Sequence, residues 1–449
     1  MYDIAIIGAG PGGYVAAIKA AQAGASCVLF EKDEVGGVCL NRGCIPTKTF
    51  IKSAQVLNTI KSAANYGIDT GEYKLNYPRV LARKQSVVRG LCGGVAGLLK
   101  KNGVTLVRQN AEIVSPGVIK AGNETREAKN IIFAAGSRPV KPPIPGIEHS
   151  VDSDYVLNME FLPKSMAIIG GGVIGVEFAT YLRAFGVTVT IVEMLPDIIA
   201  AADGDVVSAA LKMLKSIGVN VFTGAKVVGI DAGGLRFVNG GGTEQRLDAE
   251  MVLCASGRAP NADRAMLDKV GIRHSKGAVE TDEHMRTNIP GIYAIGDING
   301  KWMLAHAASA EAIVAVENIL GKSSAINYDS IPQCIYTTPE IAWIGLTEKQ
   351  ADERRIAYRK GVFPMFANGK SVIEGETAGM VKLLADETGA IIGGHIVCAH
   401  ATDIIAEIAV LMRKKGTAGD IIGTIHAHPT IAETVMEAAE ALTGKAIHI

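Results

Sequence analysis

Two cysteines five residues apart, Cys39 and Cys44, lie in the run Gly36-Gly37-Val38-Cys39-Leu40-Asn41-Arg42-Gly43-Cys44-Ile45-Pro46-Thr47-Lys48. Thiols at that spacing suit a redox couple, a buried inert pair or metal ligation. Zinc would want two more thiols or imidazoles, and this run offers none. Positions five apart on a straight helix are ~8–9 Å apart, whereas a disulfide needs Cα atoms ~4.4–6.8 Å apart. A bonded pair therefore requires a bend, which Gly43 permits. At a helix start beside Lys48 a thiolate would be stabilised, so an exposed disulfide here would be reducible. Cys27, Cys92, Cys254, Cys334 and Cys398 have no such setting and read as small core residues. A second constellation is Ile425-His426-Ala427-His428-Pro429-Thr430-Ile431-Ala432-Glu433. Proline holds His428 extended, as an acid/base or as a solvent-facing loop residue. His426 and His428 could share one face and bind metal, but no third ligand accompanies them. Thr430-x-x-Glu433 reads as a capping box for a last helix.

The elements that must position these groups begin with a repeated phosphate-binding signal. Asp3 to Ile7 reads as a strand and Tyr14 to Ala23 as a helix, with Gly8-Ala9-Gly10-Pro11-Gly12-Gly13 between them. Ser26 to Phe30 reads as the next strand and Glu31 comes after it, eighteen residues after Gly13. Glycines let the backbone close on a pyrophosphate, the helix start supplies N–H groups, and the acid takes ribose hydroxyls. The unit recurs 162 residues later. Strand Ser165 to Ile169 leads into Gly170-Gly171-Gly172-Val173-Ile174-Gly175, helix Val176 to Phe185, strand Thr188 to Val192 and Glu193. Two such sites suit a resident flavin and an exchangeable nicotinamide, bringing a hydride donor and acceptor together. Glu193 would repel a 2′-phosphate, and Met194-Leu195-Pro196 carries no Arg to hold one, so NAD is expected rather than NADP.

Composition bounds the rest. The 449 residues suggest two to four domains. Forty-five basic residues balance forty-five acidic ones, which argues against nucleic acid or a polybasic membrane anchor as partner. Seven scattered cysteines make a disulfide scaffold untenable and a reducing cytoplasm the expected compartment. The first apolar run has no basic leader before it and reads as a strand, and no apolar run is long enough to span a membrane. Near the C-terminus, Gly379 to Ala385 and Ala390 to Val397 read as a hairpin about Asp386-Glu387-Thr388-Gly389. Thr402 to Lys415 reads as a helix with Ile404, Ile405, Ile408, Ala409 and Met412 on one face, and a second helix starts near Thr430.

In this order, the GAGPGG turn, GGVCLNRGCIPTK and GGGVIGVEFA resemble the pyridine nucleotide–disulfide oxidoreductase family over essentially the whole chain. Further matches are Ala134-Ala135-Gly136-Ser137-Arg138-Pro139, Ala255-Ser256-Gly257-Arg258-Ala259-Pro260-Asn261 and Gly291-Ile292-Tyr293-Ala294-Ile295-Gly296-Asp297. The resemblance implies an α/β fold of two Rossmann-like dinucleotide-binding domains plus a C-terminal α+β dimerisation domain. Its segments would be an FAD-binding domain (1–143), an NAD-binding domain (144–263), the second part of the FAD-binding and central region (264–334) and the interface domain (335–449). It places FAD on Gly8, Gly10, Gly13, Glu31, Lys48, Ala135, Gly136, Asp297 and Ala305, and NAD on Gly170, Gly172, Gly175, Glu193 and Gly257. It makes Cys39 and Cys44 the redox disulfide and His428, oriented by Glu433, the acid/base reaching the disulfide of a second subunit. Lys48 paired with Glu177 would steady the flavin.

Among the family's branches the dihydrolipoamide dehydrogenases are the most similar. Arginines for NADPH and a C-terminal cysteine pair, marks of other branches, are missing. Arg42 stands where many relatives carry a small apolar residue, and it could lower the thiol pKa values. Ala305-His306-Ala307-Ala308-Ser309-Ala310-Glu311 keeps the family's frame but is succeeded by Ala312 where Gly is common. The implied partners are a lipoyl-bearing carrier of a 2-oxo acid dehydrogenase or glycine cleavage complex and a second copy of the chain. The competing functions are reduction of another low-molecular-weight or coenzyme A disulfide, and a noncatalytic redox-sensing subunit. A complete thiol pair with a base disfavours the last.

Overall fold

The computed structural model describes residues 1–449. The first sheet is built on Tyr2–Ile7, whose apolar Ile4, Ile6 and Ala5 are fully buried on both faces, as a central parallel strand requires. Beside it run Cys27–Phe30 and then Thr105–Val107 on one side and Glu124–Phe133 on the other, all parallel. Glu124–Phe133 is long enough to serve twice. Its first half pairs antiparallel with Val118–Ala121, and its second half pairs parallel with both Tyr2–Ile7 and Ile292–Ala294. The strand before Asp297 thus returns from far along the chain to lie in the sheet that carries the first glycine turn.

The second parallel sheet runs Asn220–Phe222, Thr188–Val192, Ser165–Ile169, Met251–Cys254, flanked by a three-stranded antiparallel meander, 226–248. The C-terminal sheet is antiparallel, in the order Gln333–Ile335, Glu340–Gly345, Ile391–Cys398, Met380–Asp386, Tyr358–Pro364. Its expected hairpin is Met380–Asp386 with Ile391–Cys398. The helix Ala401–Arg413 buries Ile405 and Ile408 against that sheet, with Ile404, Ala409 and Met412 partly buried beside them. The first glycine unit's thiol-bearing helix, the second unit and the C-terminal sheet meet in one apolar cluster, in which Phe50, Tyr181, Trp343 and Val397 are all buried. No helix is long and apolar enough to cross a membrane.

Both glycine-turn helices begin three residues earlier than the sequence pattern suggests, at Pro11 and Val173. The cause is the motif itself. Gly10 and Gly172 are the N-cap residues, so the last glycine of each motif already lies in the first helical turn. Pro11, with its fixed φ and no N–H to leave unpaired, suits the first helical position. The last helix starts later than expected, at Glu433 rather than near Thr430.

Candidate active site

Cys39 lies in a short helix, Gly37–Arg42, and Cys44 is the first residue of the next, Cys44–Ser62. The required bend is at Gly43 (φ −145°, ψ −111°), where a Cβ would stand 3.0 Å from the Val38 carbonyl oxygen. Both thiols are free and half-buried, so the sequence expectation of an exposed pair is corrected. Cys92 and Cys334 are likewise half-buried rather than core, whereas Cys27, Cys254 and Cys398 are buried. The two active-site thiols are opposed in acidity. The neighbouring Cys39 thiol and then the Lys48 ammonium, working against burial, bring Cys44 down to about 7. Cys39 is pushed far upward, first by its interaction with Cys44 and then by burial. Of the two, Cys44 is the thiol whose environment favours the charged form.

Lys48 lies one helical turn beyond Cys44, and its Nζ donates to both carboxylate oxygens of Glu177 at 2.9 Å. Glu177 is 3% exposed, on the helix Val173–Ala184 of the second glycine unit. Tyr336 completes the contact. Its N–H donates to Glu177 Oε1 at 3.0 Å, and its ring centroid is 4.6 Å from Lys48 Nζ. Nothing in the sequence marks Tyr336 beyond its place at the end of an apolar strand, so sequence reasoning does not find it.

The two glycine turns are the same object. Glu31 accepts the Ala9 N–H (2.8 Å) and the Asp33 N–H (2.8 Å), while Glu193 accepts the Gly171 N–H (2.6 Å) and the Leu195 N–H (2.7 Å). Each acid is therefore fixed by backbone donors on both oxygens, with lone pairs left over for hydroxyl groups. A Cβ on Gly13 would lie 1.7 Å from the Gly8 oxygen, and one on Gly175 2.0 Å from the Gly170 oxygen. A Cβ on Gly8 would strike the Ala134 oxygen at 2.3 Å, and one on Gly170 the Ala255 oxygen at 2.6 Å. These glycines are explained by the protein. Gly10 and Gly172 are not. Both have ordinary backbone angles, and a Cβ there would meet Gly37 only at 3.9 Å in the first case and nothing within 4 Å in the second. Open space kept in front of a helix start is what a dinucleotide pyrophosphate needs, so both turns fit that group.

The linkers leaving the two units hold each other. Ser137–Pro139 pairs antiparallel with Arg258–Pro260, and the Asn261 N–H donates to the Gly136 oxygen at 2.9 Å. Arg258 Nε donates to Ser137 Oγ at 2.8 Å, and that hydroxyl donates to Asp297, whose pKa burial raises. Ala135 and Gly136 stand at the head of the first linker, Gly136 with φ +70°, and Gly257 (φ +123°) opens the second. Ala305 is the first residue of the helix Ala305–Ile319. The fully buried Glu311 ties this helix to the Asp297 turn by accepting from the Gly296 N–H (2.5 Å), Asn299 (3.0 Å) and Tyr328 (2.7 Å).

His428 Nδ1 and Glu433 Oε1 are 2.8 Å apart, and Glu433 Oε2 accepts the Thr430 N–H at 2.7 Å. Burial draws Glu433 upward, but the Thr430 N–H and the His428 ring outweigh it and hold the carboxyl below its ordinary value. Only half of the expected capping box forms, because the Thr430 hydroxyl donates to the Ala427 oxygen instead. His426 has its own carboxylate, Glu407, at 2.9 Å, and its other nitrogen lies 3.0 Å from the Thr424 oxygen. Both its ring nitrogens are engaged, which removes the two-histidine metal reading. His428 is 77% exposed on the surface of the chain. One chain does not bring this pair to the thiols, whose charged neighbours are Lys48 and Glu177.

Comparison with known proteins agrees with this geometry. Residues 331–439 match the family described as the dimerisation domain of the pyridine nucleotide-disulphide oxidoreductases. A protein of Chlamydia pneumoniae named dihydrolipoyl dehydrogenase is 39% identical over 100% of this chain and 98% of its own length. One of Geobacillus stearothermophilus with the same name is 40% identical over 99% and 97%. Among solved structures, LpdA of Mycobacterium tuberculosis superposes with a TM-score of 0.90 at 27% identity, covering 98% of this chain and 100% of its own. The HOCl-induced flavoprotein disulfide reductase RclA of Escherichia coli superposes with a TM-score of 0.87 at 26% identity over 98% and 99%. Residues 2–312, the whole stretch holding both glycine turns and the thiol pair, match the Pyridine nucleotide-disulphide oxidoreductase model, and the chain belongs to that family.

Proposed function

We propose that the chain is an FAD-dependent dihydrolipoyl dehydrogenase, oxidising the dihydrolipoyl group of a carrier protein with NAD⁺ as acceptor. The observation that carries this reading is the Cys39–Cys44 pair at the junction of two helices, with Cys44 one helical turn from Lys48, whose ammonium is paired with Glu177 of the second glycine unit. FAD would be held by the first turn with Glu31, by Lys48, by the Ala135-Gly136 linker, by Asp297 and by the helix start at Ala305. Bound there, it supplies a two-electron carrier between the thiols and the nicotinamide. NAD would take the second turn, with Glu193 available to its ribose and Gly257 at the crossing.

The residues act in sequence. His428, its Nδ1 fixed by Glu433, offers Nε2 to a thiol proton of the substrate. The substrate thiolate attacks Cys39 of the oxidised pair, breaking the Cys39–Cys44 bond and leaving Cys44 as thiolate. Cys39 then leaves as a thiol with the proton His428 had taken, while the substrate's second sulfur, passing its own proton to the freed His428, closes the lipoyl disulfide. The reduced pair retains the two electrons. Lys48 pairs its charge with Glu177 beside the thiolate. The exposure of His428 on a domain that matches a dimerisation domain supports a base supplied by the second subunit. On this reading 1–143 and 264–334 form the FAD portion, 144–263 the NAD domain and 335–449 the interface domain. The partners are a second copy of the chain and the lipoyl carrier of a 2-oxo acid dehydrogenase or glycine cleavage complex, in the cytoplasm.

The test is anaerobic mixing of the yellow protein with dihydrolipoamide, read as long-wavelength charge-transfer absorbance and then as NAD⁺ reduction. Cys44→Ser should retain FAD and lose both signals. Full turnover by that variant would refute the scheme. His428→Gln should slow the dithiol half-reaction by ~10²–10⁴-fold, the usual weight of a positioned base. An unchanged rate in rapid mixing would remove His428 from the mechanism.

A further inference from the structure

A buried lysine far from the thiols joins the C-terminal sheet to the second glycine unit. Lys382, on the strand Met380–Asp386, is 0% exposed. Its Nζ donates to Asp203, to Asp205 at 2.8 Å and to Glu348 at 2.6 Å. Asp203 caps the helix Gly204–Ser216 by accepting the Asp205 N–H, and its other oxygen accepts the Glu348 N–H at 3.0 Å. One carboxylate is thus gripped by a side chain and a backbone donor that both come from the C-terminal region. His395, the cross-strand partner of Lys382, is fully buried and donates to the Leu346 oxygen at 2.9 Å. Burial holds its pKa down, so Lys382 is the cation at the centre of the network.

Asp203 ends a short segment that closes over the second turn. The Ala202 N–H donates to the Ile199 oxygen (2.8 Å), and the Ile199 N–H donates to the Gly171 oxygen (2.9 Å). Ile198 fills the space in front of Gly171, its Cγ2 2.6 Å from where a Cβ would stand. Ile199 has φ +41°, a left-handed conformation that a β-branched residue rarely adopts. Such a conformation persists only where its surroundings fix it. Here the fixing contacts are Gly171 at one end and the Asp203 clamp at the other. Gly171 is the residue whose N–H anchors Glu193.

We propose that Lys382 and Asp203 are positioning residues for the nicotinamide nucleotide. Through them the C-terminal domain presses segment 198–203 onto the turn that binds it. The inference rests on the functional reading above for the identity of that ligand. The test is equilibrium binding of NADH to the FAD-loaded protein, together with the rate of flavin reduction by dihydrolipoamide. Asp203→Asn keeps a side chain that caps a helix equally well and loses the charged contact to Lys382. Its dissociation constant for NADH should rise about tenfold, the scale of loss along a packed coupling path. Its FAD content and dithiol step should stay within about twofold of the parent, and adding Lys382→Met should cost little more, as expected of two residues in one network. An Asp203→Asn protein that binds NADH as the parent does overturns the proposal. So does an equal fall in the dithiol step, which would mark general loosening. A parent protein that holds FAD but binds no NADH overturns the functional reading and this inference with it.

Discussion

The first and second dinucleotide turns are built alike and differ in where the chain goes after closing over them. In each, the residue after the first glycine donates its N–H to the acid at the end of the next strand, Ala9 to Glu31 and Gly171 to Glu193. In each, its carbonyl accepts an N–H from the loop beyond that acid, from Gly36 at 2.8 Å and from Ile199 at 2.9 Å. Both donors have positive φ, +98° and +41°. From Gly36 the chain turns directly into the helix that carries Cys39. From Ile199 it runs to Asp203 and the grip of Lys382. The same closing loop thus delivers the Cys39–Cys44 pair in one copy and a contact with another domain in the other. Burial shows the same division. Glu31 is buried, Gly10 is half-buried and Gly12 lies under Ile295 and Ala308, whereas Glu193 is half-buried and Gly172 exposed. The more covered turn suits a resident cofactor and the more exposed one suits a ligand that leaves.

The comparison breaks most readily at the last glycine of each motif. Gly13→Ala and Gly175→Ala each force a Cβ into a backbone oxygen that cannot move without shifting helix against strand. Gly13→Ala should yield protein without flavin colour. Gly175→Ala should keep FAD and lose NADH affinity by about a hundredfold or more, the cost of misplacing a binding element by an ångström. Loss of FAD by Gly175→Ala, seen in the absorption spectrum, would show that the two turns are not independent.

The middle glycines sharpen the comparison. Gly172→Ala introduces no contact with protein at ordinary backbone angles, so the melting temperature of the NADH-free holoprotein should stay put. NADH binding should weaken roughly tenfold, because the added methyl occupies the space in front of the helix start. A melting temperature that falls with the affinity would mean that Gly172 serves the fold instead. Gly10→Ala should behave in the same way toward FAD, with a smaller margin because Gly37 already stands 3.9 Å from the new carbon.

How much of this division is legible in the sequence depends on range. Both turns, both acids and the thiol pair are legible because the chemistry needs those residue types at fixed short spacings. The His428–Glu433 contact is reached only through the family resemblance, since spacing alone reads Glu433 as a helix cap. The pattern sets the helix starts three residues late because it locates the apolar face, whereas the cap is decided by Gly10 and Gly172. Tyr336 at Glu177, Lys382 at Asp203 and Glu311 beneath Gly296 leave no local trace, since each meets its partner only when sheets assemble. The half-burial of the thiols is hidden likewise, because it arises from neighbours elsewhere in the chain.

The smallest effect tests what the first closing loop gains by leading into the thiols. Cys44 has its pKa lowered from the ordinary thiol value to about 7, and Cys39 has its pKa raised. A lowered thiol is charged above its pKa and loses the charge as pH falls through it. In the two-electron-reduced enzyme the charge-transfer absorbance should therefore still be present at the pH where an ordinary thiol has lost its charge, and titrate away as pH falls further. The midpoint should lie below the ordinary thiol value. Lys48 is the principal cation behind the shift and Glu177 opposes it. Lys48→Met removes the attraction but leaves Glu177 in place, so the midpoint should move up, by about one unit for a charge this close. A midpoint that does not move in Lys48→Met would assign the acidity of Cys44 to its place at the helix start and to the Cys39 thiol. The loop from Gly36 would then owe its reactivity to the helix start and the paired thiol it delivers, a combination that the loop from Ile199 does not supply.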